Sequence, residues 1–276
     1  MDYEDIARTI KCFKCGAEVP EGSKFCNSCG AALSVSCPYC GKKLSGDSKF
    51  CNYCGKELAS APKPTAKPPA EDFVYVDATG TPLKGFFICT HQVTQEEYQR
   101  IMGVNPSDFS GGKNPVENVS WYDCIEYCNR RSLAEGLKPY YNVAGDNTTC
   151  NEGADGYRLL TEAEWEYAAR GGNRSHGYEY SGSNNINTVA WYDGNSGDHT
   201  HPVCMKKPNE LGLYDMSGNV EEWCWDWPDA SGSGRVTRGG SCSIIADSCS
   251  VSRRFDYDPS YASYFLGFRL ARSAKD

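Results

Sequence analysis

The chain has 276 residues, 39% hydrophobic and 12% aromatic, enough to bury a sizeable core in one or two domains. Its formal net charge is -8 and it lacks the concentration of Lys and Arg that marks nucleic-acid binders; no apolar run approaches the ~18 residues of a membrane span. The opening MDYEDIARTI is acidic and lacks the basic and apolar regions of a secretory signal, so the expected location is the cytoplasm.

The first elements are a repeat. CFKCGAEVPEGSKFCNSCGAAL is followed by CPYCGKKLSGDSKFCNYCGKEL, each with the spacing C-x2-C-x10-C-x2-C. This places two thiolate pairs on tight knuckles and predicts two tetrahedral zinc sites, Cys12, Cys15, Cys26 and Cys29 in the first and Cys37, Cys40, Cys51 and Cys54 in the second. Disulfides or an iron centre are the weaker alternatives. A module of about 22 residues buries too little surface to fold alone, so the metal would supply the folding energy. The repeats resemble the double zinc ribbon family. Residues 1–58 hold eight Lys plus Arg against seven Asp plus Glu, and two four-thiolate zinc sites would make the module net negative. Docking to a protein, or a structural role, therefore fits better than binding nucleic acid. Residues 59–72, ASAPKPTAKPPAED, read as a semi-rigid proline-rich linker.

From Phe73 the chain reads as a second, α+β domain, residues 73–276. FVYVD suggests a strand, and VTQEEYQRIMG a helix closed by Gly103. SWYDCIEYCNRRSLAEG opens on Ser120 and Asp123 as a capping box and ends at Gly136; LLTEAEWEYAARGG opens likewise on Thr161 and Glu164 and stops at Gly171. Beyond Gly172 the chain reads as loops, short strands and aromatic residues, which call for a special scaffold. The eight cysteines outside the repeats, Cys89, Cys124, Cys128, Cys150, Cys204, Cys224, Cys242 and Cys249, sit among apolar neighbours and are expected to be mostly buried free thiols.

HQVTQEEYQRIMG, NPVENVSWYDCIEYCNR, YRLLTEAEWEYAARGG, NELGLYDMSGNVEEW, RVTRGGS and LGFRLA occur in that order. Together they resemble the formylglycine-generating enzyme and sulfatase-modifying-factor family, which implies a C-type-lectin-like fold. In the oxidising members a C-x4-C pair binds copper; here Cys242 and Cys249 have six residues between them, so the resemblance implies no such centre. The histidine-bearing helical domain of the iron-dependent relatives has no counterpart. DMSGNVEEW resembles a calcium loop of the family, with carboxylate oxygens from Asp215 and Glu222 and carbonyls from Gly218 and Val220. A family glutamate is replaced by Gln92, which removes a charge from that site. The alternative is that Asp215 and Glu222 cap turns and pair with Arg.

Between RGGS and GFR the chain resembles the variable proteins of diversity-generating retroelements, with a variable region over 242–266. Adenine mutagenesis of asparagine codons excludes Lys, Glu, Gln, Met and Trp. None of these occurs among the 23 residues from Ser243 to Phe265, although they supply 46 of the 276 residues of the chain. Drawn at random from this composition, that absence has a chance on the order of 1–2%. The filling suits a binding surface. Phe255, Tyr257, Tyr261, Tyr264 and Phe265 give rigid contact area, while Ser243, Ser248, Ser250, Ser260 and Ser263, with Asp247 and Asp256, give adaptable hydrogen bonds. Ile244 and Ile245 fit either display or core. The expectation is a non-enzymatic binding protein for an unknown protein or other ligand, with zinc ribbons for protein docking. The alternatives are a formylglycine-generating-type oxidoreductase and an adaptor for one fixed partner.

Two complete four-thiolate sites predict two zinc ions per chain, released when the thiols are titrated with an organomercurial; a stoichiometry of one or none would count against them.

Overall fold

The repeat is visible in the backbone as two hairpins. β1 (Thr9–Lys11) pairs antiparallel with β2 (Glu18–Pro20), and β3 (Ser34–Ser36) with β4 (Lys43–Ser45). Thr9 to Ser34 and Glu18 to Lys43 are both steps of 25 residues, the step that separates Cys12 from Cys37. Cys12 and Cys26 are buried with Val19, and Ala17 packs on them. The structure, a computed structural model, describes residues 9–12, 17–20, 26, 34–36, 43–45, 72–228 and 234–274. The zinc assignments of Cys15, Cys29, Cys37, Cys40, Cys51 and Cys54 lie outside the described residues, as does the proline-rich stretch 59–71. The chain divides into two compact units, Met1–Thr65 and Ala66–Asp276.

In the large unit β5 (Phe73–Val76) pairs with β6 (Phe86–Cys89) in antiparallel register, Val74 facing Ile88. Three capping boxes then start three helices. Thr94 and Glu97 cap α1 (Gln95–Met102), Ser120 and Asp123 cap α2 (Trp121–Ala134), and Thr161 and Glu164 cap α3 (Glu162–Ala169). In each, the hydroxyl accepts from the third backbone N–H and the carboxylate accepts from the cap residue's own N–H, so two donors at the helix start are satisfied. α1 ends at Gly103 with φ 81°, as its sequence predicts.

Between α2 and α3 lie β7 (Tyr141–Asn142), β8 (Thr149–Cys150) and β9 (Tyr157–Arg158). After α3 come β10 (Glu221–Trp223), β11 (Arg235–Arg238), β12 (Arg254–Tyr257), β13 (Leu266–Gly267) and β14 (Ala271–Ser273). They form two four-stranded sheets, ordered β5-β6-β14-β9 and β12-β11-β10-β13. The second is antiparallel except where β10 runs parallel to β13. The chain thus passes through β13 and crosses at once to the other sheet through β14. Among the described residues no helix is long and apolar enough to cross a membrane.

Two apolar clusters fill the unit. In one, Tyr98 of α1 stacks on Tyr127 of α2 with ring centres 5.4 Å apart, and Phe268 meets both rings edge-on. Trp223 belongs to the same cluster, its indole Nε1 donating to Val119 O at 3.0 Å. In the other, Trp165, Ala168 and Ala169 of α3 pack against Phe86, Ile88 and Val236. Of the eight cysteines outside the repeats, six are buried and Cys150 is half-buried. Cys204 departs from expectation: it is exposed, on left-handed backbone with φ 65°.

Phe268 and Trp223 are essentially inaccessible to water. Replacing either with Ala should destabilise the large unit by about 3–5 kcal/mol, read from its urea unfolding transition.

Candidate functional site

The segment from Cys242 to Phe265 is fastened to the rest of the unit by its main chain. Its carbonyls at Ile244, Pro259, Ser263 and Phe265 accept from the backbone N–H groups of Asp193, Trp121, Asn118 and Glu221, at 2.8–3.1 Å. Ser196 Oγ donates to Cys242 O and Ser217 Oγ to Cys249 O. The Arg238 guanidinium donates to Val251 O at 2.8 Å and Ser252 O at 3.2 Å. β12 pairs with β11 along its length, from Arg254 opposite Arg238 to Tyr257 opposite Arg235. Glycine completes the frame at both ends. A Cβ on Gly240 would lie 2.7 Å from Cys249 Sγ and 2.8 Å from Ser248 O; one on Gly267 would lie 2.5 Å from Val116 O.

Main-chain fastening leaves the side chains at many positions uncommitted. Ile245, Asp247, Asp256, Ser260, Tyr261 and Tyr264 are exposed, Ile245 at 59% and the two tyrosines at 42% and 40%. β12 alternates: Arg254 and Asp256 face water, while Phe255 and Tyr257 are half-buried. Ser243, Ile244, Ser250 and Phe265 are also half-buried, Ile244 packing with Tyr180, Ile186 and Cys249. Ser248 and Ser263 do not belong with the displayed serines. Both are buried, Ser248 against Gly240 and Ser263 where its carbonyl accepts from both Asn118 N and Leu266 N. Val251 is buried in the second apolar cluster. Arg254 pairs with Glu162 at 2.9 Å and so serves the frame.

The exposed and half-buried aromatics form one connected patch. Tyr257 stacks on Tyr261 at 5.3 Å, Tyr264 meets Phe265 edge-on, and Tyr264 also meets Phe109 edge-on at 5.9 Å. Phe109 then leads to His199, His201 and Trp191, the last two stacked 3.8 Å apart, with Lys206 Nζ over the Trp191 ring. These residues lie outside the segment, and no sequence periodicity marks them. Phe109 is positioned by its backbone: its N–H donates to Glu117 Oε1, and Gln95 Nε2 donates to its carbonyl.

The DMSGNVEEW loop gathers its oxygens differently from the arrangement that the resemblance implies. Gln92 Nε2 donates to the carbonyls of Asp215 at 3.0 Å, Gly218 at 3.3 Å and Val220 at 2.9 Å, and to Glu222 Oε1 at 3.1 Å. Asp215 thus contributes its carbonyl, while its carboxylate Oδ2 accepts from Cys204 N. Glu222 is bound in turn by Arg269, whose Nη2 lies 2.8 Å from Oε1, and by Trp165 Nε1, 2.8 Å from Oε2.

Cys242 and Cys249 are fully buried, and burial pushes both thiols up to about 12. They are therefore protonated at neutral pH, the opposite of what a reactive or metal-binding thiolate needs. Two carboxyls beneath the segment are also perturbed. Burial raises Glu117 and Glu221 from 4.5 to about 7; Glu221 is partly relieved by hydrogen bonds from Thr237 and Tyr257. A raised acid binds its proton more tightly in the folded state. The contribution of these two carboxyls to stability should therefore fall as pH rises from about 4.5 through about 7 and level off above. Glu117→Gln should flatten that slope and stabilise the protein by about 1–2 kcal/mol at pH 8, measured by chemical unfolding across the pH range.

Comparison with known proteins places this geometry. The Sulfatase-modifying factor enzyme 1-like domain matches residues 63–274, and the Double zinc ribbon matches residues 12–55. Among solved structures, Treponema denticola variable protein 1 is 41% identical, with a TM-score of 0.65, over 69% of this chain and 85% of that one. Among curated proteins, Chaperone protein LppX of Paenibacillus barcinonensis is 42% identical over 69% of this chain and 81% of its own length. The Formylglycine-generating enzyme of Streptomyces coelicolor is 32% identical over 61% of this chain, which spans 56% of that enzyme. The large unit has a C-type-lectin-like fold of the formylglycine-generating type, is preceded by a double zinc ribbon, and is similar to a variable protein. The chain belongs to the sulfatase-modifying factor enzyme 1-like domain family.

Proposed function

We propose that the large unit is a non-enzymatic binding domain that displays a diversified C-terminal surface, while the zinc ribbons dock it to a protein partner. The observation that carries the reading is the fastening of the Cys242–Phe265 segment through its carbonyls. Bonds made by the main chain survive a change of side chain, so the frame can hold fillings of different sequence. Exposed Tyr261 and Tyr264 beside fixed Phe109 supply the rigid aromatic area of a binding patch, and Asp256 and Ser260 the adaptable polar groups. The likeness to a variable protein supports the same reading.

The protonated, water-excluded thiols of Cys242 and Cys249 weigh against an oxidase of the formylglycine-generating kind. Incubation of the copper-loaded protein with a cysteine-containing sulfatase-type peptide should produce no aldehyde; appearance of aldehyde at a catalytic rate would overturn the reading.

Diversification is tested in the encoding DNA. A reverse transcriptase gene should lie nearby, with a near-repeat of the codons for Ser243–Phe265 that differs only at adenines. Absence of both would favour an adaptor for one fixed partner. In the protein, changing Tyr261 and Tyr264 together to Ser should shift stability by no more than about 0.5 kcal/mol each. Tyr257→Ser should cost more, because Tyr257 hydrogen-bonds buried Glu221 and packs edge-on against Trp223. Equal melting losses for the Tyr261/Tyr264 pair and for Phe268→Ala would place the tyrosines in the core and sink the display reading.

A further inference from the structure

Four oxygens from one loop converge on a single point, and that point is held by the side-chain nitrogen of a residue far away in sequence. The carbonyls of Asp215, Gly218 and Val220 and Oε1 of Glu222 all lie 2.9–3.3 Å from Gln92 Nε2. The convergence is built into the backbone, where Asp215, Gly218 and Asn219 all take left-handed φ values of 56–81°. Gln92 is completely buried, and its Oε1 has no hydrogen-bond partner. Without a cation the amide NH2 faces the oxygens, since a carbonyl oxygen there would then meet only acceptors.

We propose that the Gln92 amide nitrogen stands permanently in place of a divalent cation, so that this loop takes no calcium and the fold does not depend on it. Distance and charge both support this. Calcium binds oxygens at about 2.3–2.6 Å and would have to occupy the volume that Nε2 fills. Glu222 is the one charged group among the four acceptors, and it is already neutralised by Arg269, which is as fully buried as Glu222 itself. Beyond Glu222 the cage itself offers a dication only carbonyls; the loop's other carboxylate, Asp215, accepts from Cys204 N through Oδ2 and leaves Oδ1 without a partner. A carboxylate at position 92 would reverse both conditions: its two oxygens would repel the cage, and a cation would draw them together.

The test compares the full-length, zinc-loaded protein with Gln92→Glu in resin-treated buffer, with and without millimolar calcium. For the unaltered protein, equilibrium dialysis should find no calcium bound. Its large-unit melting temperature should be the same in both buffers. Gln92→Glu should melt lower without calcium, bind one ion per chain, and gain about 5–10 °C when calcium saturates it. One calcium bound tightly by the unaltered protein, with a matching rise in melting temperature, would overturn the proposal, as would a folded Gln92→Glu that ignores calcium. If Gln92→Glu is too unstable to isolate, the dialysis of the unaltered protein decides alone.

Discussion

A carboxylate at 1% exposure, such as that of Glu222, is untenable without partners, and the large unit is arranged around supplying them. Arg269 binds it through Nε and Nη2, and the same guanidinium donates to Cys89 O at the end of β6 and to Tyr214 O. Trp165 reaches it from α3, and Gln92 from the loop before α1. One buried ion pair therefore ties together both sheets, a helix and the irregular loop. Removing one member of such a pair strands the other in a dry interior, at a cost of about 3–5 kcal/mol. Glu222 itself lies on β10, the strand beside which β13, at the end of the Cys242–Phe265 segment, is laid in parallel register.

From that strand outward the molecule divides its labour between main chain and side chain. Glu221, next to Glu222, uses its N–H to hold Phe265 O and its carboxyl to receive Thr237 Oγ1. Asn118 and Trp121, at and just before the start of α2, use backbone N–H groups to hold the segment's carbonyls at Ser263 and Pro259. The helix start thus serves twice, its Ser120–Asp123 box satisfying its own donors while its flanks fasten the loop. Attachment of this kind fixes the path of the segment without using its side chains.

Much of this was legible in the sequence, for local reasons. The Ser120–Asp123 and Thr161–Glu164 boxes and the terminal Gly103 declare themselves within a few residues, and the helices lie where they point. The ordered motifs fixed the family because each marks a packing or turn requirement of the fold. Exposure within the segment was not legible, because the backbone there follows no period. Serines at 248, 260 and 263 look alike as letters, yet Ser260 is exposed and the other two are buried. The row from Phe109 to Trp191 was equally hidden, since its ends lie 82 positions apart in sequence and meet only in the fold. Gln92 reads in sequence as a lost charge; only the convergence of three carbonyls on its nitrogen reveals what the amide does.

The position of β12 at the rim of its sheet carries a further consequence. A rim strand presents unpaired backbone groups on its outer side, and an alternating apolar strand there invites a neighbouring molecule to add its own. Here the rim lies inside the Cys242–Phe265 segment. Arg254 and Asp256 on this strand, and Arg253 and Asp258 beside it, are exposed charged residues, and Pro259 follows directly after them. Side-chain changes at these positions would therefore bear on solubility as well as on what the surface can bind.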